Sequence, residues 1–300
     1  MGPAHRTPDR SRLAPVPNLK SARSKLERGS ARLEELWRAL SDAFDDDEHD
    51  FITDLRDYPY PKRPVDDPRD WRAFTVYAVA VPELPDTITH LLSETVQHFR
   101  NALDHVAWSF VKARYQSRLT AGQQRRIEFP MRPNRKDFWK SVGSSLRGTS
   151  PDDQRLFEQY QPYLRTDAGR AIRQLQILSN TDKHRTIVPV LSLPQTFEYT
   201  FHWQRLGGDP IDQVLALSPL KEGRPIRVGA DLATFVLVGG TPGQRQVAVE
   251  GNARLVPFLP RTVVPPDRGE KSLLLEPALK KIEAVCTEFV EKAEVQLRRS

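Results

Sequence analysis

An α+β fold is predicted by three features of the sequence. Apolar residues recur at three- and four-residue steps over five segments, the mark of amphipathic helices. Two further segments are β-branched and aromatic or alternate strictly, the mark of strands. The order runs from helices to mainly antiparallel strands and back to one helix, which is an α+β order rather than an alternating one.

The elements follow in turn. Residues 1–21 are rich in proline and arginine without periodicity and read as a disordered basic tail. Leu26, Leu33, Leu36, Trp37, Leu40 and Phe44 predict a helix over 22–44. The acidic run Asp45–Asp50 then ends it, as a solvated linker or as a cation-binding cluster. Residues 51–70 hold Pro59, Pro61, Pro64 and Pro68 and read as a loop, and 71–81 as a strand. Pro85 and Asp86 open a long helix over about 86–115. Residues 120–150 are polar and loop-rich, with an ordered turn at Glu128-Phe129-Pro130.

Ser150-Pro151-Asp152-Asp153 is a helix start, and the helix should stop at Gln161-Pro162. Ile172, Leu175 and Leu178 predict the next helix over 168–183. Strands are expected at 186–193 (an edge, because of Pro189), 196–204, 211–217, 232–238 and 246–256, forming a mainly antiparallel sheet over about 186–256. His202 falls on the polar face of its strand. A last helix over 272–299 carries Leu275, Leu279, Ile282, Cys286, Phe289 and Ala293. Residues 22–300 are thus expected to form a single domain, with a helical part at 22–185 and 272–299 and a sheet part at 186–260.

Composition narrows the function classes. A single cysteine, Cys286, cannot build a disulfide framework. The amino terminus has no apolar core segment, and charge interrupts the apolar stretches, so neither a secretory signal nor a membrane span is expected. These features point to the cytoplasm. The formal charge of +6 is compatible with a polyanionic partner such as RNA. The sequence holds no phosphate-cradling glycine loop, no GxSxG and no zinc-type cysteine pairs.

Candidate chemistry lies on the 86–115 helix. At 100° per residue, Leu92, Val96, Phe99, Leu103, Val106 and Phe110 share one sector. Glu94, His98, Asn101, His105 and Lys112 share another, with Trp108 at its margin and Arg100 and Asp104 between the two. One reading is a solvent face with an Arg100–Asp104 ion pair. The other is functional, since histidine and asparagine are mediocre helix formers and a tryptophan on a polar side marks a partner surface with His98.

Arg100-Asn101-Ala102-Leu103-Asp104-His105 resembles the arginine, polar residue, short spacer, histidine motif of HEPN-type proteins. Those are helical domains, many of them RNA-cleaving toxins or defence nucleases acting as dimers. The resemblance implies a metal-independent endoribonuclease and a homodimer. It assigns His105 as base, Arg100 as phosphate stabiliser and Asn101 as support, with no cofactor. The roles are chemically coherent, because histidine titrates near neutrality and arginine's fork matches phosphate oxygens.

A second polar run, Asn180-Thr181-Asp182-Lys183-His184-Arg185, caps the predicted 168–183 helix or completes a site. Together the two runs resemble a group of bacterial proteins of unknown activity that share RxALDH and NxDKHR stretches. Two alternatives stay open. One is a metal-dependent helical-bundle enzyme with Glu94, His98 and His105 as ligands and His184 as a possible addition. The other is a non-catalytic module that binds protein or RNA.

Overall fold

The computed structural model describes residues 18–45, 53–58, 71–81, 83–115, 119–184, 187, 189–192, 198–205, 213–218, 226–238, 245–252, 256–259 and 273–299. Most of the expected basic tail, the acidic run after Asp45, Pro59 to Asp70 and Arg185 lie outside them.

The α+β class is as predicted. The helices are α1 (Lys20–Asp45), α2 (Asp86–Arg114), α3 (Ala121–Gln124), α4 (Arg135–Ser145), α5 (Pro151–Glu158), α6 (Asp167–His184) and α7 (Leu275–Arg298). The strands are β1 (Thr53–Tyr58), β2 (Trp71–Ala78), β3 (Val190–Ser192), β4 (Glu198–Arg205), β5 (Gln213–Ser218), β6 (Asp231–Val238), β7 (Arg245–Asn252), β8 (Val256–Leu259) and β9 (Leu273–Leu274).

Three differences from expectation have physical reasons. α1 starts at Lys20, inside the expected tail, because Leu19 and Ala22 are buried and anchor its first turn. α4 occupies part of the expected 120–150 loop: Asn134 caps it by accepting from the Asp137 N–H, and Phe138 and Val142 bury one side. β1 forms inside the expected 51–70 loop by pairing antiparallel with β2, with Leu55 opposite Val76. The expected single sheet is instead three antiparallel ones among the described residues, ordered β1-β2-β6-β5, β3-β8-β9 and β4-β7. β3 is an edge strand, as Pro189 foretold.

The chain divides into two compact units, and four helices contribute residues to both. Unit 1 is Met1–Gly29, Gln97–Leu175 and Ile282–Ser300; unit 2 is Ser30–Val96 and Gln176–Lys281. Unit 2 contains all the described strands. Its centre is β6 against β2, where Phe74 faces Phe235 and the hydroxyls of Thr75 and Thr234 meet at 3.2 Å across the strands. Ala73, Val236 and Val238 are buried there together.

Unit 1 is built on aromatic rings. Phe157 packs edge-on against Phe110 at 5.4 Å and Phe289 at 5.2 Å, and Phe129 and Tyr160 meet Phe289 at 5.1 and 4.9 Å. Such pairs add about 0.5–1.5 kcal/mol each beyond their burial. Around the rings sits a buried carboxylate. Asp153 closes the capping box of α5 with Ser150 and accepts from Arg114 of α2 at 2.9 Å and from Gln296 of α7 at 3.4 Å. Burial alone would raise its pKa, but the bonds from Arg114 and Ser150 outweigh that and hold the carboxyl below its ordinary value.

Candidate active site on the second helix

The apolar sector of α2 is the buried side expected from its periodicity. Leu92, Val96, Phe99, Leu103, Val106 and Phe110 are all fully buried. Ala102, Ala107 and Val111 are buried as well, so burial covers more of the helix than that one stripe. The polar sector is not an open solvent face. His98, Asn101, His105 and Trp108 are each half-buried, while Glu94 and Lys112 are exposed.

In unit 1 the first turns of α1 cover part of that sector. Ser21 Oγ lies 2.9 Å from His105 Nδ1. Two turns further along α1, a methyl group on Gly29 would stand 2.7 Å from the Phe99 ring and 3.3 Å from the His98 Cβ. Residue numbers rise along α1 as they fall along α2, so the two helices cross antiparallel, and Gly29 lets the backbones approach. His98 therefore lies at a helix crossing.

The motif residues Arg100 and His105 face different surroundings. Five residues at 100° each separate them by about 140° around the helix. Arg100 is only 9% exposed. Its Nε pairs with Asp104 at 3.2 Å, and its Nη2 donates to the Phe129 carbonyl at 3.2 Å and reaches Glu128 at 3.6 Å. Asp104 in turn accepts the Phe129 N–H at 2.8 Å. The expected i,i+4 pair is thus formed, and it holds the Phe129 backbone at both its N–H and its carbonyl. That grip orders the segment at Glu128-Phe129-Pro130 and delivers the Phe129 ring to the aromatic cluster.

His105 faces α1. Partial burial lowers its pKa first, and the positive charge of Lys25 lowers it further, against a smaller upward pull from Asp104. The imidazole is therefore neutral near pH 7 and able to accept a proton. Asn101 is one turn before it on the same helix. Ser21 and Lys25 were not singled out by sequence. Ser21 fell at the end of the expected tail and Lys25 among the basic residues of the amino-terminal segment, and the 84-position separation of Ser21 from His105 leaves no local signal.

The remaining candidates fall elsewhere. In unit 2, Glu94 is engaged by Arg32 of α1 at 2.7 Å. His98 and His105 stand two turns apart, about 10 Å along the axis, whereas metal–ligand bonds are about 2 Å. Among the described residues no group of three or more His, Cys, Asp or Glu is arranged to hold a metal ion, so the Glu94/His98/His105 set is not assembled. Also in unit 2, α6 continues through Asn180 to His184, as expected for two residues one turn apart. Asn180 and Lys183 are exposed, and Asp182 accepts a hydrogen bond from Ser93 of α2. The side chain of His184 and all of Arg185 lie outside the described residues.

No helix among the described residues is long and apolar enough to cross a membrane. No family model, no curated protein and no solved structure matches the chain.

Proposed function

We propose that this chain is a HEPN-like protein of the toxin or defence type that cleaves RNA without a metal, as a homodimer, with His105 as the base. The observation that carries this reading is the state of His105. It is half-buried, it is held at Nδ1 by Ser21, and it stands on the same helix as Asn101, while burial and Lys25 hold its pKa below the ordinary value. A base of this kind takes the 2′-hydroxyl proton. The 2′-oxygen then attacks the adjacent phosphorus and the 5′-oxygen leaves, taking a proton from water to become a 5′-hydroxyl, which produces a 2′,3′-cyclic phosphate. The guanidinium of Arg100 is engaged by Asp104 and the Phe129 carbonyl, so the phosphate-stabilising role that the resemblance implies for it is not part of this reading. A buried free thiol at Cys286 fits a cytoplasmic setting.

The engagement of Arg100 also favours a second reading, a non-catalytic module that binds RNA or protein through the same face. One experiment separates them. A mixed RNA pool is incubated with wild type, His105→Ala and Asn101→Ala, each checked for folding by circular dichroism. The first reading predicts cleavage by wild type to cyclic-phosphate ends and a loss of about 10²–10⁴-fold in His105→Ala. RNA that is bound but uncut establishes the module. Equal cleavage by all three proteins identifies a contaminating nuclease and removes the support for the first reading.

A further inference from the structure

We propose that α1 supplies the other half of the His105 site: Ser21 fixes the ring so that Nε2 is the working nitrogen, and Lys25 meets the phosphodiester. This inference rests on the RNA reading for its ligand and on the helix pairing for its geometry. Within unit 1, α1 and α2 run antiparallel with Ser21 level with His105 and Gly29 level with His98 and Phe99. Both helices rise 1.5 Å per residue, so four residues on from Ser21 along α1 corresponds to four residues back from His105 along α2. That places Lys25 level with Asn101. Residues four apart share a helix face, so Ser21, Lys25, Asn101 and His105 form one short seam.

The seam is open enough to be used. Ser21 is exposed, and Lys25, Asn101 and His105 are half-buried. Its charge is cationic at Lys25. The charged groups acting on His105 are Lys25 from α1 and Asp104 from α2. Asp104 is already engaged by Arg100 and the Phe129 N–H. Arg100 is turned to the Phe129 segment, and among the described residues Lys25 is the cation shown to act on His105. An ammonium suits one phosphate oxygen, and the asparagine amide can donate to a second.

Ser21 acts on the ring through the tautomer. A histidine that donates its Nδ1 proton to a hydroxyl oxygen has its lone pair on Nε2, and that nitrogen is then the base. Ser21 is thus a positioning residue, while Lys25 is assigned direct contact with the phosphodiester.

The test uses the full chain and two readouts. Long-range ¹H–¹⁵N spectra of the histidines, with His105 assigned by its loss in His105→Gln, report the tautomer without any RNA. The expected result is the Nδ1–H form in wild type, a mixture of tautomers in Ser21→Ala, and restoration of the Nδ1–H form in Ser21→Thr. A dominant Nε2–H form in wild type, or no change in Ser21→Ala, overturns the role of Ser21. The same resonance is then followed while a non-cleavable 2′-O-methyl oligoribonucleotide is added. Lys25→Gln is expected to weaken the titration about tenfold, Lys25→Arg to retain it, and Lys140→Gln on α4 to leave it unchanged. A Lys25→Gln titration equal to wild type overturns the role of Lys25. An oligonucleotide that moves no His105 resonance overturns Lys25's role together with the RNA reading. It leaves Ser21's role standing on the first readout, so the two failures are told apart.

Discussion

At the scale of single residues, two side chains of one six-residue motif do different work. Arg100 stabilises the fold, being buried with its donors on Asp104 and the Phe129 carbonyl. Replacing it by methionine keeps the stem but leaves that carbonyl and a part-buried carboxylate without their guanidinium. The expected loss is about 2–4 kcal/mol, measured by urea unfolding. His105 shows itself through pH. Its pKa is lowered by burial and by Lys25, so the unfolded chain binds its proton more readily than the folded one. Stability from this group is therefore full above the unfolded value of about 6.5 and falls as pH drops through the lowered folded value. Wild type should lose more stability than His105→Gln between about pH 7.5 and pH 5.5. An equal loss in the two proteins would show that the ring is not shifted.

At the scale of elements, the close approach of α1 to α2 depends on Gly29. Alanine there gains about 1 kcal/mol of helix propensity, but its methyl would sit 2.7 Å from the buried Phe99 ring. Overpacking costs about 1–3 kcal/mol, so Gly29→Ala is expected to destabilise on balance and to disturb the His105 resonances. α5 offers an independent check. Ser150→Ala removes the cap oxygen that accepts the Asp153 N–H, with an expected loss of about 1 kcal/mol in denaturant unfolding. This scale also explains what could be read in advance. α2, α6 and α7 were legible because each repeats its apolar positions over many turns. α4 was not, because Arg135–Ser145 offers only Phe138, Trp139 and Val142 as large apolar residues and includes Gly143. β1 was not, because Thr53–Tyr58 is mostly polar and takes its shape from β2.

At the scale of the whole molecule, contacts distant in sequence decide what local pattern cannot. β2 pairs with β6 across most of the chain, and unit 1 is gathered from three separate segments. No periodicity announces such pairings, which is why the one expected sheet is three among the described residues. The same distance hid Ser21 from the reading of the His105 motif, although the motif, its helix and the Arg100–Asp104 pair were all visible in the sequence. Unit 1 needs its last segment for its aromatic cluster, where Phe289 meets Phe129, Phe157 and Tyr160. Phe289→Ala should cost about 3–5 kcal/mol. A chain ending at Lys281 should lose the near-ultraviolet dichroism of that cluster. The proposed site stands in the same unit, and its most direct measurement is the pH dependence of kcat/KM for RNA cleavage. An acid limb controlled by one group titrating below about 6.5 is expected in wild type and in Asn101→Ala and is lost with the activity in His105→Ala. A profile flat through that range in wild type, or cleavage that survives in His105→Ala, would contradict His105 as the base.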